Sequence, residues 1–157
     1  MISNTTRKKI FRWAVIVLFF VSLMTSFHSC MTFRKSKKDL NEYIQSKRLN
    51  ASLQEYKSGK YTIHYVQTGS ENKPLVLFVH GSPGSLSDFI GFLADTALTN
   101  QALLVTTDRP GFGYSNFGMA EPSLKKQAAT LKPILEKFKN NRPIILVGHS
   151  LGGPVIA

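Results

Sequence analysis

A serine flanked by glycines follows directly after an apolar run near the carboxyl end of the sequence. The segment Gly148-His149-Ser150-Leu151-Gly152 comes after residues 143–147, Pro-Ile-Ile-Leu-Val. This G-x-S-x-G pattern is typical of a serine nucleophile on a sharp strand-to-helix turn, which lifts the hydroxyl clear of the sheet. The glycines at Gly148 and Gly152 make such a turn sterically possible. The chemistry predicted here is attack of the Ser150 hydroxyl on a carbonyl carbon.

Two other polar, glycine-rich segments follow apolar runs in the same way. One reads His80-Gly81-Ser82-Pro83-Gly84, and the other reads Asp108-Arg109-Pro110-Gly111-Phe112-Gly113-Tyr114-Ser115. The carboxyl ends of parallel strands lie at one edge of a sheet, and ligands bind at that edge. We therefore expect both segments to lie near Ser150. The Ser82–Pro83 peptide bond is predicted to be cis, because the first segment must fold back sharply.

The elements that must position these segments follow from the hydrophobic pattern. Three short, continuous apolar runs predict strands covered on both faces: residues 75–79, 102–106 and 144–147. Helices are predicted over residues 87–96 and 123–139, the second with an apolar stripe from Leu124 to Phe138 and a bend at Pro133. Strands alternating with helices indicate right-handed crossovers and a parallel sheet. Residues 53–57 and 61–66 flank Ser58-Gly59-Lys60 and predict an antiparallel hairpin.

The composition is that of one globular domain with a basic N-terminal extension. The chain has 157 residues, of which 43% are hydrophobic and 18% charged, and its formal net charge is +11. Residues 1–60 contain 12 Lys and Arg against 3 Asp and Glu, whereas residues 61–157 contain 8 against 6. Basic residues of a nucleic-acid-binding domain are spread over a folded face. Here they surround an apolar segment, so nucleic acid is excluded as a partner.

Cysteine and histidine usage argues against disulfides and metal sites. The sequence has one cysteine, Cys30, so an intramolecular disulfide cannot form. Its four histidines have no companion histidine or cysteine at the spacing of metal ligands. We therefore expect neither a metal site nor a metal cofactor.

The N-terminal residues have the character of a membrane-targeting segment. Four basic residues precede an uncharged apolar run of 12 residues, 13–24, broken only by Ser22. This run is shorter than the ~20 residues of a membrane span and fits the apolar region of a signal peptide. The next residues, Thr25-Ser26-Phe27-His28-Ser29-Cys30, resemble the processing site of a bacterial lipoprotein precursor, which makes Cys30 a candidate for lipidation. In the alternative, residues 13–33 form an uncleaved helical anchor.

Both alternatives predict a membrane-anchored protein of a bacterial cell envelope. Residues 1–30 are then the signal peptide or anchor, and residues 31–52 form a basic, polar stalk with a helix over 39–46. Residues 53–157 form the folded domain.

Taken together, the three strand-end motifs resemble those of the α/β-hydrolase family, from about residue 61 to residue 157. The resemblance implies the α/β-hydrolase fold, with a mostly parallel sheet after an N-terminal antiparallel hairpin. It implies that Ser150 is the nucleophile and that the backbone N–H groups of Ser82 and Leu151 stabilise the oxyanion. The implied supporting positions are His80, Gly81, Gly148, His149 and Gly152. The implied partner is a small-molecule substrate whose ester, thioester, amide or related bond is cleaved through an acyl-enzyme, without a cofactor.

Two other family features bear on this sequence. The position of Asp108 is one that the family uses to fix a loop rather than for catalysis. The dehalogenase and epoxide hydrolase branches place an aspartate where this sequence has Ser150, so those chemistries are disfavoured.

The catalytic acid and base that the family uses have no counterpart in this sequence. In the family, both follow the nucleophile along the chain. Residues 151–157 include neither a histidine nor a carboxylate. The resemblance therefore implies the N-terminal part of an α/β-hydrolase, truncated after the nucleophile turn, with the missing C-terminal half as its partner. This part is expected to be inactive alone. The alternative is a non-catalytic envelope protein that uses a partial hydrolase fold for binding or as a scaffold.

Overall fold

A computed structural model describes the backbone of residues 4–157 and the side chains of residues 6–24 and 32–157. The chain divides between Thr32 and Phe33 into two compact units. In the first unit, helix α1 spans Asn4–Met31, and the large apolar side chains described between residues 10 and 24 are exposed. None of the described helices is long and apolar enough to cross a membrane. The side chain of Cys30 lies outside the described residues, so its lipidation stays a prediction.

The second unit is a five-stranded sheet with helices. After α2 (Lys37–Ser46) come the strands β1 (Leu53–Ser58), β2 (Tyr61–Thr68), β3 (Leu75–Val79), β4 (Leu103–Thr107) and β5 (Ile144–Gly148). Short 3-10 helices span Leu86–Phe89 and Phe92–Ala94, and the remaining helices are α3 (Thr96–Thr99), α4 (Leu124–Lys137) and α5 (Gly152–Ile156). The strand order is β1-β2-β4-β3-β5.

The pairing of the strands confirms the predicted fold class. β1 pairs with β2 in the predicted antiparallel hairpin, and β3 is parallel to both β4 and β5. The hairpin joins the parallel part through an antiparallel pairing of β2 with β4. All three apolar runs form strands, and β3 has the predicted bounds. The strands β3 and β4 are covered on both faces, which explains why almost every residue in them is apolar.

Two hydrophobic clusters cover the two faces of the sheet. One face packs against α4 and α5 through Leu77, Val105, Leu131, Ile134 and Val155. The other face packs against α2 and the 3-10 helices through a second set: Leu40, Ile44, Phe78, Leu86, Leu93 and Leu104. The sheet is therefore the middle layer of three, and its carboxyl-terminal edge is left for the loops.

The predicted helix over residues 87–96 is wrong, because side-chain caps divide it. Ser85 Oγ accepts a hydrogen bond from the Ser87 N–H and begins the first 3-10 turn. Asp95 Oδ1 then accepts from the N–H groups of Ala97 and Leu98 and begins α3. A side chain that caps a helix competes with continuation of the preceding helix, so three short turns replace one longer helix.

Helix α4 differs from its predicted apolar stripe. Leu124 is exposed, whereas Gln127 and Thr130 are buried beside Leu131 and Ile134. Gln127 can be buried because its amide oxygen accepts a hydrogen bond from Arg109 and its amide nitrogen donates to the Glu121 carbonyl. The helix continues through Pro133.

Candidate active site

Ser150 lies on a tight turn between β5 and α5. Its φ of 50° falls in the left-handed region, which a residue with a side chain seldom adopts. The His149 N–H donates to the Val79 carbonyl at 3.0 Å, and the Gly152 N–H donates to the His149 carbonyl at 2.8 Å. The turn is thus anchored to the end of β3, and Ser150 is exposed at the edge of the sheet.

The two glycines of the turn lie where the backbone comes too close for a side chain. A Cβ atom at Gly148 would lie 2.6 Å from the carbonyl carbon of Gly152. A Cβ atom at Gly152 would lie 2.2 Å from the Val79 carbonyl oxygen. The turn therefore requires glycine at both positions, as the pattern indicated.

The loop after β3 lies against this turn. A Cβ atom at Gly81 would come within 2.9 Å of Ser150 Cβ and within 3.2 Å of His149 Nδ1. The Ser82–Pro83 bond is cis, which confirms that prediction. Within residues 32–157, the backbone N–H groups of Ser82 and Leu151 donate no hydrogen bond to another protein group. Two N–H groups near Ser150 therefore have no protein acceptor within these residues.

His80 holds this loop from beneath and is fully buried. Its Nε2 accepts a hydrogen bond from the Arg109 N–H at 3.0 Å, so Nδ1 is protonated and donates to the Gly81 carbonyl at 2.7 Å. Burial lowers the pKa of His80 to about 4, because a charged imidazole in the interior would lose its hydration. His80 is therefore neutral at physiological pH and fixes the Gly81 peptide.

Arg109 is a buried cation that the sequence reasoning missed. Its guanidinium donates to the Gly81 carbonyl at 2.7 Å and to Gln127 Oε1 at 2.8 Å, and it stacks on the Phe112 ring, 4.5 Å from the centroid. Gln127 in turn donates to the Glu121 carbonyl at 2.6 Å. The sequence feature that could have indicated its burial is the position of this charged residue between the strand β4 and Pro110. The Gly81 carbonyl thus accepts from both His80 and Arg109.

Asp108 joins two loops and is fully buried. Its Oδ1 accepts from the Leu86 N–H at 2.6 Å, and its Oδ2 accepts from the Tyr114 N–H at 2.7 Å. Burial raises its pKa to about 7, although both N–H groups favour the ionised form. The carboxylate is used to hold the loops after β3 and β4.

The structure thus brings some of the predicted site residues together and places others in support. Ser150, Leu151 and the Gly81–Ser82 peptide meet at the sheet edge, and His149 is exposed beside Gly81. Among the described residues, no cluster of histidine, cysteine or carboxylate side chains could hold a metal ion. The geometry offers a hydroxyl, two N–H donors and a rigid support, which is the arrangement needed for acyl transfer when a base is supplied.

Comparison with known proteins shows which family this fold belongs to. Residues 74–157 match the family model described as alpha/beta hydrolase fold. Epoxide hydrolase 1 of Caenorhabditis elegans is 31% identical over 98 residues, which are 61% of this chain and 24% of that protein. A solved membrane phospholipase A, described as a novel bacterial virulence factor, is 23% identical with a TM-score of 0.61, over 93% of this chain and 45% of that one.

A putative lipase from Acinetobacter baumannii AYE has a similar structure. It is 27% identical with a TM-score of 0.58, and the match covers 74% of this chain and 39% of that chain. This chain therefore spans about a quarter of the first relative and less than half of each of the two solved structures.

Proposed function

The chain belongs to the α/β-hydrolase family, and from this membership we propose that it forms the nucleophile-bearing part of a membrane-tethered serine hydrolase. Relatives named as an epoxide hydrolase, a phospholipase and a lipase support a general hydrolase function. The observation that carries the finer proposal is the left-handed Ser150 in contact with Gly81, beside two unpaired N–H groups.

The proposed reaction is acyl transfer to Ser150. Its Oγ attacks the carbonyl carbon of an ester, thioester, amide or related bond, and the Oγ proton passes to a base. The bond from that carbon to the alcohol, thiol or amine then breaks, and the base returns the proton to the leaving group, so that an acyl ester of Ser150 remains for water to hydrolyse. The negative charge that develops on the carbonyl oxygen is stabilised by the N–H groups of Ser82 and Leu151. Loss of one such donor costs about 3 kcal/mol of transition-state stabilisation. His80 and Arg109 act by holding the Gly81 carbonyl, which fixes the orientation of the Ser82 N–H.

We propose acyl transfer rather than epoxide opening, although one relative is an epoxide hydrolase. In that branch of the family an aspartate is expected at the nucleophile position. Ser150 has a hydroxyl instead, and a hydroxyl needs a separate base to become nucleophilic. No histidine or carboxylate follows Ser150 in these 157 residues. The proposal therefore includes that this chain by itself has no serine-dependent turnover.

Membrane tethering is proposed from the N-terminal residues. Arg7, Lys8, Lys9 and Arg12 precede the apolar run 13–24, and this order is that of a signal peptide or signal anchor. The membrane phospholipase A shares the fold over 93% of this chain, so the fold has a precedent in a membrane protein. Mass spectrometry of the mature N-terminus separates the alternatives, since an intact Met1 is incompatible with lipoprotein processing at Cys30.

Chemical labelling tests the proposed nucleophile. The 157-residue chain is incubated with an alkyl fluorophosphonate, with and without added imidazole as an external base. We expect no labelling without imidazole and slow labelling of Ser150 with it. Peptide mass spectrometry locates the adduct, S150A serves as the negative control, and S52A removes an exposed serine far along the chain.

Each contrary outcome of the labelling has a definite meaning. Labelling of Ser150 without imidazole contradicts the inactivity of the chain. Absence of labelling at every imidazole concentration contradicts a positioned nucleophile and favours a binding or scaffold protein. Equal labelling of S150A and the unsubstituted chain shows that the probe reacts elsewhere.

A further inference from the structure

Residues 33–38, here called the docking segment, are fixed to the loops around Ser150. Ser85 Oγ donates to the Phe33 carbonyl at 2.7 Å, and the Lys35 N–H donates to Ser87 Oγ at 3.0 Å. The Tyr114 hydroxyl donates to the Lys35 carbonyl at 2.6 Å. Because Ser85 and Ser87 follow β3 and Tyr114 follows β4, these contacts place the docking segment at the carboxyl edge of the sheet.

Arg34 strengthens this attachment. Its guanidinium lies over the Tyr114 ring, 4.4 Å from the centroid, and donates to the Gly113 carbonyl. Ser36 then caps α2 by accepting from the Asp39 N–H at 3.1 Å. The docking segment is therefore an ordered part of the folded unit, with hydrogen bonds at successive residues, and it holds its orientation relative to Ser150.

Large apolar side chains are exposed along the same edge. Phe33 and Met119 are 53% and 55% exposed, and Phe117 and Leu151 are exposed as well. The Gly118 N–H donates to the Gly111 carbonyl at 3.0 Å, which folds residues 117–119 back onto the loop after β4. Leu151 is the neighbour of Ser150. These four residues belong to the docking segment and to the loops after β4 and β5, at the carboxyl ends of these strands.

Basic residues lie in the docking segment and at the start of β2. The docking segment contains Arg34, Lys35, Lys37 and Lys38, and residues 33–48 contain six basic and two acidic residues. Lys60 lies on the turn that begins β2, and β2 runs antiparallel to β4, so this turn is at the same edge. A surface with exposed aromatic and aliphatic residues beside lysines and arginines has the composition of proteins that bind anionic lipid surfaces.

We propose that this edge, formed by Phe33, Phe117, Met119 and Leu151 with the basic docking segment, lies on an anionic lipid surface. The apolar side chains enter the headgroup region, and the basic residues contact lipid phosphates. The substrate that follows from this orientation rests on the proposed function. Ser150 attacks the acyl ester of a lipid in the membrane, and that ester reaches the Ser82 and Leu151 N–H groups without first dissolving in water.

Fluorescence quenching tests this orientation in the full chain. The native tryptophan is removed by W13F, and M119W places a single tryptophan on the proposed surface. L98W is the matched control, because Leu98 is an exposed apolar residue on α3, which precedes β4 and lies at the opposite edge of the sheet. Vesicles contain phosphatidylglycerol and phosphatidylcholine brominated along the acyl chains. We expect a blue shift and strong quenching for M119W and neither change for L98W.

A charge variant tests the basic part of the surface. Each basic residue near an anionic surface contributes about 1 kcal/mol to binding. In the tethered full chain, K35Q/K37Q should therefore lower the equilibrium constant for docking of the folded unit roughly thirtyfold, read as a loss of M119W quenching at saturating vesicle concentration. Equal quenching of M119W and L98W, or quenching of neither, overturns the proposal, as does a charge variant that behaves like its parent. None of these readouts involves hydrolysis, so the two proposals can fail separately. If S150A still binds vesicles and Ser150 is not labelled in the presence of imidazole, the proposed function is refuted and the lipid-facing surface is not.

Discussion

Replacing His80 with asparagine tests whether the support of the oxyanion loop depends on a neutral, buried imidazole. His80 is fully buried between the Arg109 N–H and the Gly81 carbonyl. Asparagine keeps a polar side chain but cannot take up a proton. The variant loses the fixed hydrogen bonds, which costs about 1 to 3 kcal/mol at every pH. It also loses the dependence of stability on protonation of His80, and this second effect is the diagnostic one.

The sign and size of that dependence follow from the pKa of His80. Burial lowers this pKa from 6.5 to about 4. A group whose pKa is lowered by folding contributes stability that is present above its unfolded pKa and is lost as the pH falls through the folded value. Since one pKa unit corresponds to about 1.4 kcal/mol, the contribution is about 3 kcal/mol. The unsubstituted chain therefore loses about 3 kcal/mol relative to H80N as the pH falls from about 7.5 to about 4.

Urea unfolding followed by far-ultraviolet circular dichroism measures this difference. Both proteins are unfolded at several pH values and at low protein concentration, and the urea m-values are compared to establish that the same surface is exposed. We expect the stability gap between the two proteins to narrow on acidification. A gap that stays constant from neutral to acidic pH would refute the reasoning, because it would mean that His80 can accept a proton without disturbing the loop.

Other predictions concern neighbouring residues. Burial raises the pKa of Asp108 from 3.8 to about 7. The stability that this shift contributes is therefore present at low pH and is lost as the pH rises through 7. Relative to D108N, the unsubstituted chain should gain roughly 3 to 4 kcal/mol of unfolding free energy as the pH falls from about 7.5 to about 4. G152A should cost about 3 kcal/mol or more in thermal unfolding, because its Cβ would meet the Val79 carbonyl at 2.2 Å. G153A is the control, since a Cβ there meets no atom within 4 Å, and it should be neutral or stabilising. Ile145 is 49% exposed on the edge strand β5, and we expect this apolar edge to self-associate. I145K should change the free energy of unfolding by less than about 0.5 kcal/mol and give less light scattering than the unsubstituted chain.

The strands were the most predictable part of the fold. A strand buried on both faces must be apolar at nearly every position, so the pattern predicted β3 with its observed bounds. The same pattern predicted β5, yet Ile144 and Ile145 are exposed on this edge strand. Continuous apolarity therefore predicted a strand, but it did not predict how much of that strand is buried in the described structure.

Residues 86–99 were less predictable, because local caps outweighed the helical pattern. Ser85 and Asp95 each begin a new turn by accepting backbone N–H groups. Serine and aspartate are common at helix starts, but which of several such residues acts as a cap depends on tertiary contacts. The Thr106 hydroxyl, for example, donates to the Leu86 carbonyl and holds the first turn against the sheet.

The arrangement at the candidate active site was predictable from spacing, whereas its support was not. The motif around Ser150 and the glycines of its turn follow from local sequence. The buried guanidinium of Arg109 depends on the Gly81 carbonyl, 28 positions away, and on Gln127, 18 positions away. No local pattern indicates such a pairing, and an arginine in a loop is ordinarily exposed. Charged residues in the interior become predictable only when their distant partners are known.

The position of β3 between β4 and β5 also sets the order in which the molecule can fold. Leu75 pairs with Leu103 on one side and with Ile144 on the other. Ile144 is about 70 positions from Leu75 along the chain, whereas Leu103 is much nearer. The nearer partner closes the smaller loop and loses less chain entropy. We therefore expect the hairpin, β4 and β3 to assemble first, both during synthesis on the ribosome and after dilution from denaturant, and β5 to add last. The backbone conformation of Ser150 depends on contacts with Val79 and Gly81, so the nucleophile turn is completed only in the final step of folding.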